Sequence, residues 1–295
     1  MTDYAELELS LNRRDADSYG IELRFTRPND EADVRIARPG PNIAALATNT
    51  LAGLDPDAYG LALGQQLFAD GDILAALRTA QSTGFPLRLR LFIGPSAPEL
   101  HGVRWELMRV TPDEPVLSTS ENTLFSRYLS STDWRPVRLR PEGKLTALIV
   151  IANPPGLPDY GLAAVAVDEE LSRIRTNLGD AIARQELVDA DATTLNGIIA
   201  TVRGGVDILY LVAHGLLIDG TPTLFLTGPD GQVALVPGAE LVTRLQELEE
   251  RPRLVVLASC QSAGNDGVLT TTDNGVLAAL GPRLAAVGIP AVVAM

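Results

Sequence analysis

Apolar and polar residues alternate one by one through the first forty positions, and then the period changes. The runs Ala5-Glu-Leu-Glu-Leu-Ser-Leu11, Gly20-Ile-Glu-Leu-Arg-Phe25 and Ala32-Asp-Val-Arg-Ile-Ala37 put every second side chain on one face, the mark of short half-buried strands. Asp, Asn, Pro and Gly separate them, as turns require. Over residues 42–82 the apolar spacing becomes three and four, in Ile43-Ala-Ala-Leu46 and Leu61-Ala-Leu-Gly-Gln-Gln-Leu-Phe68, which predicts helices, the last led by Asp72 and running through Ala80. Pro86-Leu-Arg-Leu-Arg-Leu-Phe92 returns to period two and reads as a strand. Gly102-Val-Arg-Trp-Glu-Leu-Met108 reads as a short segment leading to a turn at Pro112. Residues 133–143 carry two prolines, three arginines and a glycine and form the best internal linker, which divides the chain into a β-rich and helical region, 1–140, and a second region, 141–295.

Beyond the linker, compact apolar runs alternate with amphipathic stretches. The pattern predicts strands at 144–153, 183–188, 207–213, 254–259 and 290–295, and helices at 163–178, 192–202, 238–249 and 274–287. Thr193 or Thr194 would cap the second helix. Residues 223–226 and 232–235 read as a hairpin around Pro229-Asp-Gly231. Strands that are apolar throughout and alternate with helices define an α/β fold with a mostly parallel sheet flanked by helices. The chain reaches Met295 within an apolar run, which leads to the expectation that the fold is completed by further residues or by a separate chain.

Two of these strands end on reactive side chains. Asp207-Ile-Leu-Tyr-Leu-Val-Ala-His-Gly215 closes on His214, and Leu254-Val-Val-Leu-Ala-Ser-Cys260 closes on the only cysteine. Open α/β sheets bind ligands at the carboxyl ends of their strands, so a thiol and an imidazole on neighbouring strands there suggest a nucleophile and its base. Free cysteine has a pKa near 8.5 and needs such a partner at neutral pH. Gly215 would let its N–H approach a substrate carbonyl and, with the Cys260 amide, form an oxyanion hole. The polar segment 261–274 reads as a substrate-contacting loop. Asn153, Asp159, Gln261, Ser262, Asp266 and Asp273 are candidate substrate contacts, and Asp219 is a further loop carboxylate. Taken singly, a cysteine after an apolar run is more often an inert small hydrophobe, and a histidine before glycine is often a turn residue. It is their joint placement that favours chemistry. His101 reads as a turn or packing residue.

Composition narrows the field. The 37 acidic against 24 basic residues give a formal charge of −13, which repels phosphate backbones and anionic lipid and argues against a nucleic-acid partner. A single cysteine makes no internal disulfide, and the first twenty residues lack the apolar run of a secretion signal, so a cytoplasmic setting is the simplest reading. Apolar runs such as 147–152 fall far short of the roughly 18 residues of a membrane span. One Cys and two distant His offer no zinc spacing, and neither a dinucleotide fingerprint nor a phosphate loop is present, so neither metal nor cofactor is expected.

The sequence resembles the CHAT domain, a caspase-like branch of the clan that also contains separases, metacaspases and gingipains. The likeness rests on Ile208-Leu-Tyr-Leu-Val-Ala-His-Gly215, on Pro252-Arg-Leu-Val-Val-Leu-Ala-Ser-Cys-Gln-Ser-Ala263 and on the closing 277–294 segment. Leu63-Gly-Gln-Gln-Leu-Phe68 and Val103-Arg-Trp-Glu-Leu-Met108 add to it, so that it covers most of residues 60–295. The resemblance implies a caspase-like cysteine peptidase with His214 as general base and Cys260 as nucleophile, cleaving protein substrates through a thioester. It implies a degenerate, protease-like first region, and activation by a partner, a ligand or cleavage. Relatives act in bacterial stress, cell-death and antiphage circuits. Two residues before the cysteine, where metacaspase-like members carry an acid, stands Ala258, so arginine specificity by that route is not implied. A non-catalytic scaffold of the same fold and a thiol-dependent acyltransferase or hydrolase of small molecules remain alternatives.

Overall fold

The computed structural model describes residues 3–16, 18–28, 34–35, 42–128, 140–189, 192–219, 221–258 and 276–294. The chain divides into two compact units, Met1–Leu129 and Ser130–Met295.

In the first unit the alternating runs become β1 (Ala5–Arg13) and β2 (Tyr19–Thr26), paired antiparallel, with the two-residue β3 (Val34–Arg35) against β2. The rest of the third expected strand, 32–37, lies outside the described residues. Residues 43–46 are not helical as their spacing suggests. Asn42–Ala44 is a strand, β4, on β2. Ile43 is 43% exposed while Ala44 and Leu46 are buried, so burial runs with period two and pairing with β2 decides the conformation. The helices are α1 (Pro56–Leu67) and α2 (Gly71–Gln81). The α2 cap is Asp70, whose carboxylate accepts the Asp72 N–H, two residues before the expected leader. β5 (Leu87–Ile93) lies parallel to β1, and β6 (Thr123–Tyr128), which the pattern did not announce, lies parallel to β5.

One face of this mixed sheet supplies Leu7, Leu9, Leu11, Leu89 and Leu91 to a core closed by Leu63, Leu67, Ile73 and Leu77 of the helices. The opposite face holds charge in compensated rows. Arg88 pairs with Glu6 at 2.7 Å, and the Arg90 guanidinium lies 4.2 Å from the centre of the Tyr128 ring, whose phenol is pushed up to about 12 by burial and by Glu8. The two family-like segments of this unit pack on each other. A Cβ on Gly60 would stand 1.9 Å from the Leu107 carbonyl oxygen, and one on Gly64 1.8 Å from that of Arg109, so only glycine allows α1 to lie this close to 105–109. Trp105, fully buried, donates its indole N–H to the Leu100 carbonyl at 2.8 Å.

The second unit is an α/β sheet. Its strands are β7 (Thr146–Ile151), β8 (Ala183–Leu187), β9 (Ile208–Val212), β13 (Leu254–Ala258) and β14 (Ala291–Ala294), interrupted after β9 by β10 (Gly215–Ile218), β11 (Thr221–Thr227) and β12 (Val233–Pro237). Helices α3 (Val167–Leu178), α4 (Leu195–Val202), α5 (Gly238–Gln246) and α6 (Val276–Ala286) alternate with them, α4 capped by Thr194. The sheet order is β14-β13-β9-β7-β8, and every pair is parallel. β7 is buried on both faces, with Leu148 and Val150 turned to the core of α4, α5 and α6 and Ile149 and Ile151 turned to α3. That double burial explains why its sequence is a continuous apolar run.

The strand β7 comes first, β8 is added on one side and β9 on the other, so the direction of winding reverses between β7 and β9. In sheets of this kind the crevice beyond the carboxyl ends at such a switch point is where ligands bind. At the opposite end, buried Asp207 ties three strands together. Its carboxylate accepts from the Thr146 N–H at 2.9 Å and hydroxyl at 3.1 Å and pairs with Arg253 at 3.2 Å and Arg140 at 3.5 Å, while its carbonyl accepts from Arg253 and Leu254.

Candidate functional site

His214 stands two residues beyond the end of β9, at the switch point. Tyr210 and Val212 turn toward the α3 side of the sheet, and His214 keeps their parity, which sends it to the side where the segment joining β7 to α3 passes. There its Nε2 lies 2.8 Å from the Ala163 carbonyl oxygen, and the side chain is 2% exposed. A carbonyl only accepts, so Nε2 carries the hydrogen and Nδ1 keeps its lone pair. Burial pulls the imidazole pKa below its ordinary 6.5, and the bond to Ala163 opposes that in part, so the ring is neutral at pH 7.

The chain does not turn off at Gly215 but continues as β10 into an antiparallel three-stranded sheet, β10-β11-β12. The expected hairpin is β11–β12, with Gly231 at φ 76 in its turn, and β10 was not foreseen. Gly215 faces Leu224, and the Phe225 N–H donates to the His214 carbonyl at 2.9 Å. That bond makes Gly215–Leu224 a non-hydrogen-bonded pair of the ladder, so the Gly215 N–H points away from β11.

The neighbouring strand β13 ends level with β9. Ala258 is the register partner of Val212, and the Ala213 N–H donates to the Ala258 carbonyl at 3.1 Å. Position 260 lies two residues beyond Ala258. Cys260, Gln261, Ser262, Asp266 and Asp273, all singled out from the sequence, lie outside the described residues.

Asn153 lies two residues past β7, as His214 does past β9, and these strands are also neighbours, Ile151 opposite Val212. Its Oδ1 accepts the Val165 N–H at 2.9 Å. Asp159 sits exposed in the turn Leu157–Tyr160, and Asp219, exposed, takes φ 50, a conformation that Asp tolerates better than most residues. His101 lies in the turn Pro98–Gly102 of the first unit, where burial and Arg127 lower its pKa and its carbonyl accepts from Arg127 at 3.0 Å, a packing environment. The contributor that sequence reasoning missed is the Ala163 carbonyl, a backbone group with no side-chain signature. Among the described residues no group of three or more His, Cys, Asp and Glu side chains could hold a metal ion, and no helix is long and apolar enough to cross a membrane.

A parallel sheet wound both ways from β7, helices on both faces, and an antiparallel excursion directly after a histidine at the switch point define a protein of the caspase-like α/β class. The model of the CHAT domain matches residues 57–295, and the chain belongs to that family. The match begins in α1, so it takes in parts of both units. No curated protein matches the chain.

Proposed function

We propose that this chain is a cysteine endopeptidase in which Cys260 attacks the scissile carbonyl and His214 moves the protons. The observation that carries this reading is the His214 geometry, a neutral imidazole at the switch point with Nε2–H committed to the Ala163 carbonyl and Nδ1 left basic. The level ends of β9 and β13 support it, since two residues of chain beyond Ala258 span no more than about 7 Å. In the reaction Nδ1 takes the Sγ proton, the thiolate adds to the carbonyl carbon, and the Gly215 and Cys260 amides receive the oxyanion. The C–N bond then breaks as the imidazolium protonates the leaving amine, and water activated by the same imidazole hydrolyses the thioester. Segment 261–274 shapes the substrate site once a partner, a ligand or cleavage acts on it, in a defence or cell-death circuit of a cytoplasm. The first unit is the degenerate, protease-like half.

Replacing Cys260 with Ala abolishes self-cleavage or cleavage of a partner, and persistence of that cleavage sinks the assignment. The competing reading is a non-catalytic scaffold, and the burial of His214 is the observation on its side. A thiol-directed activity probe separates the two. Labelling of the native chain at Cys260 that is lost in His214→Ala marks the enzyme, and labelling only after denaturation marks the scaffold.

A further inference from the structure

The segment 152–166 is a shaped piece of backbone rather than a loose connection. Gly156 and Gly161 take φ 95 and 70, and Pro154, Pro155 and Pro158 fix three further φ angles. Within it the Asp159 N–H donates to the Gly156 carbonyl at 3.1 Å, Gly161 to Pro158 at 2.9 Å, and Leu162 to Leu157 at 3.1 Å. Leu157 and Leu162 are buried with Phe225 of β11 in a small cluster of their own. What ties its two ends together is the bond from the Val165 N–H to Asn153 Oδ1, two residues from the carbonyl that receives His214 Nε2–H.

Asn153 and His214 thus stand at matching positions on adjacent strands, and the bond made by the first fixes the backbone that binds the second. We propose that Asn153 is a positioning residue, whose amide oxygen holds the Ala163 carbonyl on His214 and so keeps the imidazole in the Nε2–H tautomer with Nδ1 basic. Its role in turnover rests on the reading of His214 as the base. Its role in the tautomer does not. Many histidine bases are oriented by a carboxylate, and here a side-chain amide does this at one remove, through a main-chain carbonyl.

The chain contains only two histidines, so nitrogen-15 labelling of histidine gives two imidazole signal sets, assigned by His101→Gln. In the unmutated full chain His214 should show a protonated Nε2 and an unprotonated Nδ1. A protonated Nδ1 there overturns the proposal outright, without any variant. In Asn153→Ala the His214 signals should move toward the tautomer average, while Asn153→Asp, which keeps an accepting oxygen, should restore the single tautomer. An unmoved spectrum in Asn153→Ala, or an Asp variant that behaves like Ala, refutes the positioning role. On a cleaved substrate Asn153→Ala should lower kcat about tenfold with KM little changed. If the tautomer responds as expected and the parent chain cleaves nothing, the peptidase assignment falls and the positioning role stands. If the parent cleaves and the tautomer ignores Asn153, the reverse holds.

Discussion

With Nε2 held by Ala163, His214 takes up a proton only at Nδ1, and it must do so where burial disfavours the cation. The folded-state pKa lies below 6.5, so the unfolded chain binds the proton first as pH falls, and between the two values it carries more protons than the folded one. Stability is therefore unaffected by this group above pH 6.5 and declines as pH falls from 6.5 through the lowered value. The same sign governs chemistry. Thiol labelling and peptide cleavage should hold their plateau to pH values where an ordinary histidine is already half protonated, and fall on the acid side of that. Urea titrations of the parent and His214→Gln at pH 7.5 and 5.5 check the stability half, the parent losing more than the variant over that interval. An acid limb centred above 6.5 contradicts the assignment of His214 as the base.

At the scale of elements, the strands are held in register from the end remote from the site. Asp207 is 3% exposed and links β7, β9 and β13 through one carboxylate and one carbonyl. Removing the carboxylate leaves the Thr146 N–H and the Arg253 cation short of their partner, while the Thr146 hydroxyl keeps its second acceptor, the Gly205 carbonyl at 3.2 Å, so Asp207→Ala is expected to cost about 3 kcal/mol and Asp207→Asn about half of that. Hydrogen exchange should show the loss in the amides of β7, β9 and β13, and equal protection in parent and variant refutes the staple. These strands were legible in the sequence because burial on two faces leaves an uninterrupted apolar run, and the histidine at the end of one followed from the same pattern. β10 was not, being four residues long and opening on glycine, and β6 was not, because Thr-Leu-Phe-Ser-Arg-Tyr leaves Leu124 half exposed and only Thr123 fully buried. Ile43-Ala-Ala-Leu46 satisfied a helical spacing over a stretch too short to distinguish it from period two. At the site, Asn153 reads from the sequence as a candidate substrate contact, whereas its Oδ1 is engaged by Val165, a pairing across twelve residues that no local pattern encodes.

The whole chain carries a formal charge of −13, and the consequence belongs to encounter rather than to any one contact. A net negative field raises the local concentration of cationic substrates and lowers that of anionic ones, and mobile ions cancel it beyond about 10 Å at 0.1 M salt. Three peptides that share a scissile sequence and differ only in distal charge therefore separate this effect from the specificity of the site. For the peptide with added lysines kcat/KM should fall about tenfold between 0.01 and 0.5 M salt, as electrostatic steering is screened. The glutamate-bearing peptide should gain over the same range and the neutral one change little, while kcat stays constant for all three because the charges lie away from the reacting carbonyl. If the three respond alike, salt is acting on the fold or on segment 261–274 and not on approach. If the lysine peptide alone responds, and through kcat, a specific carboxylate contacts it, and Asp159 and Asp219, exposed in their turns, are the first to replace.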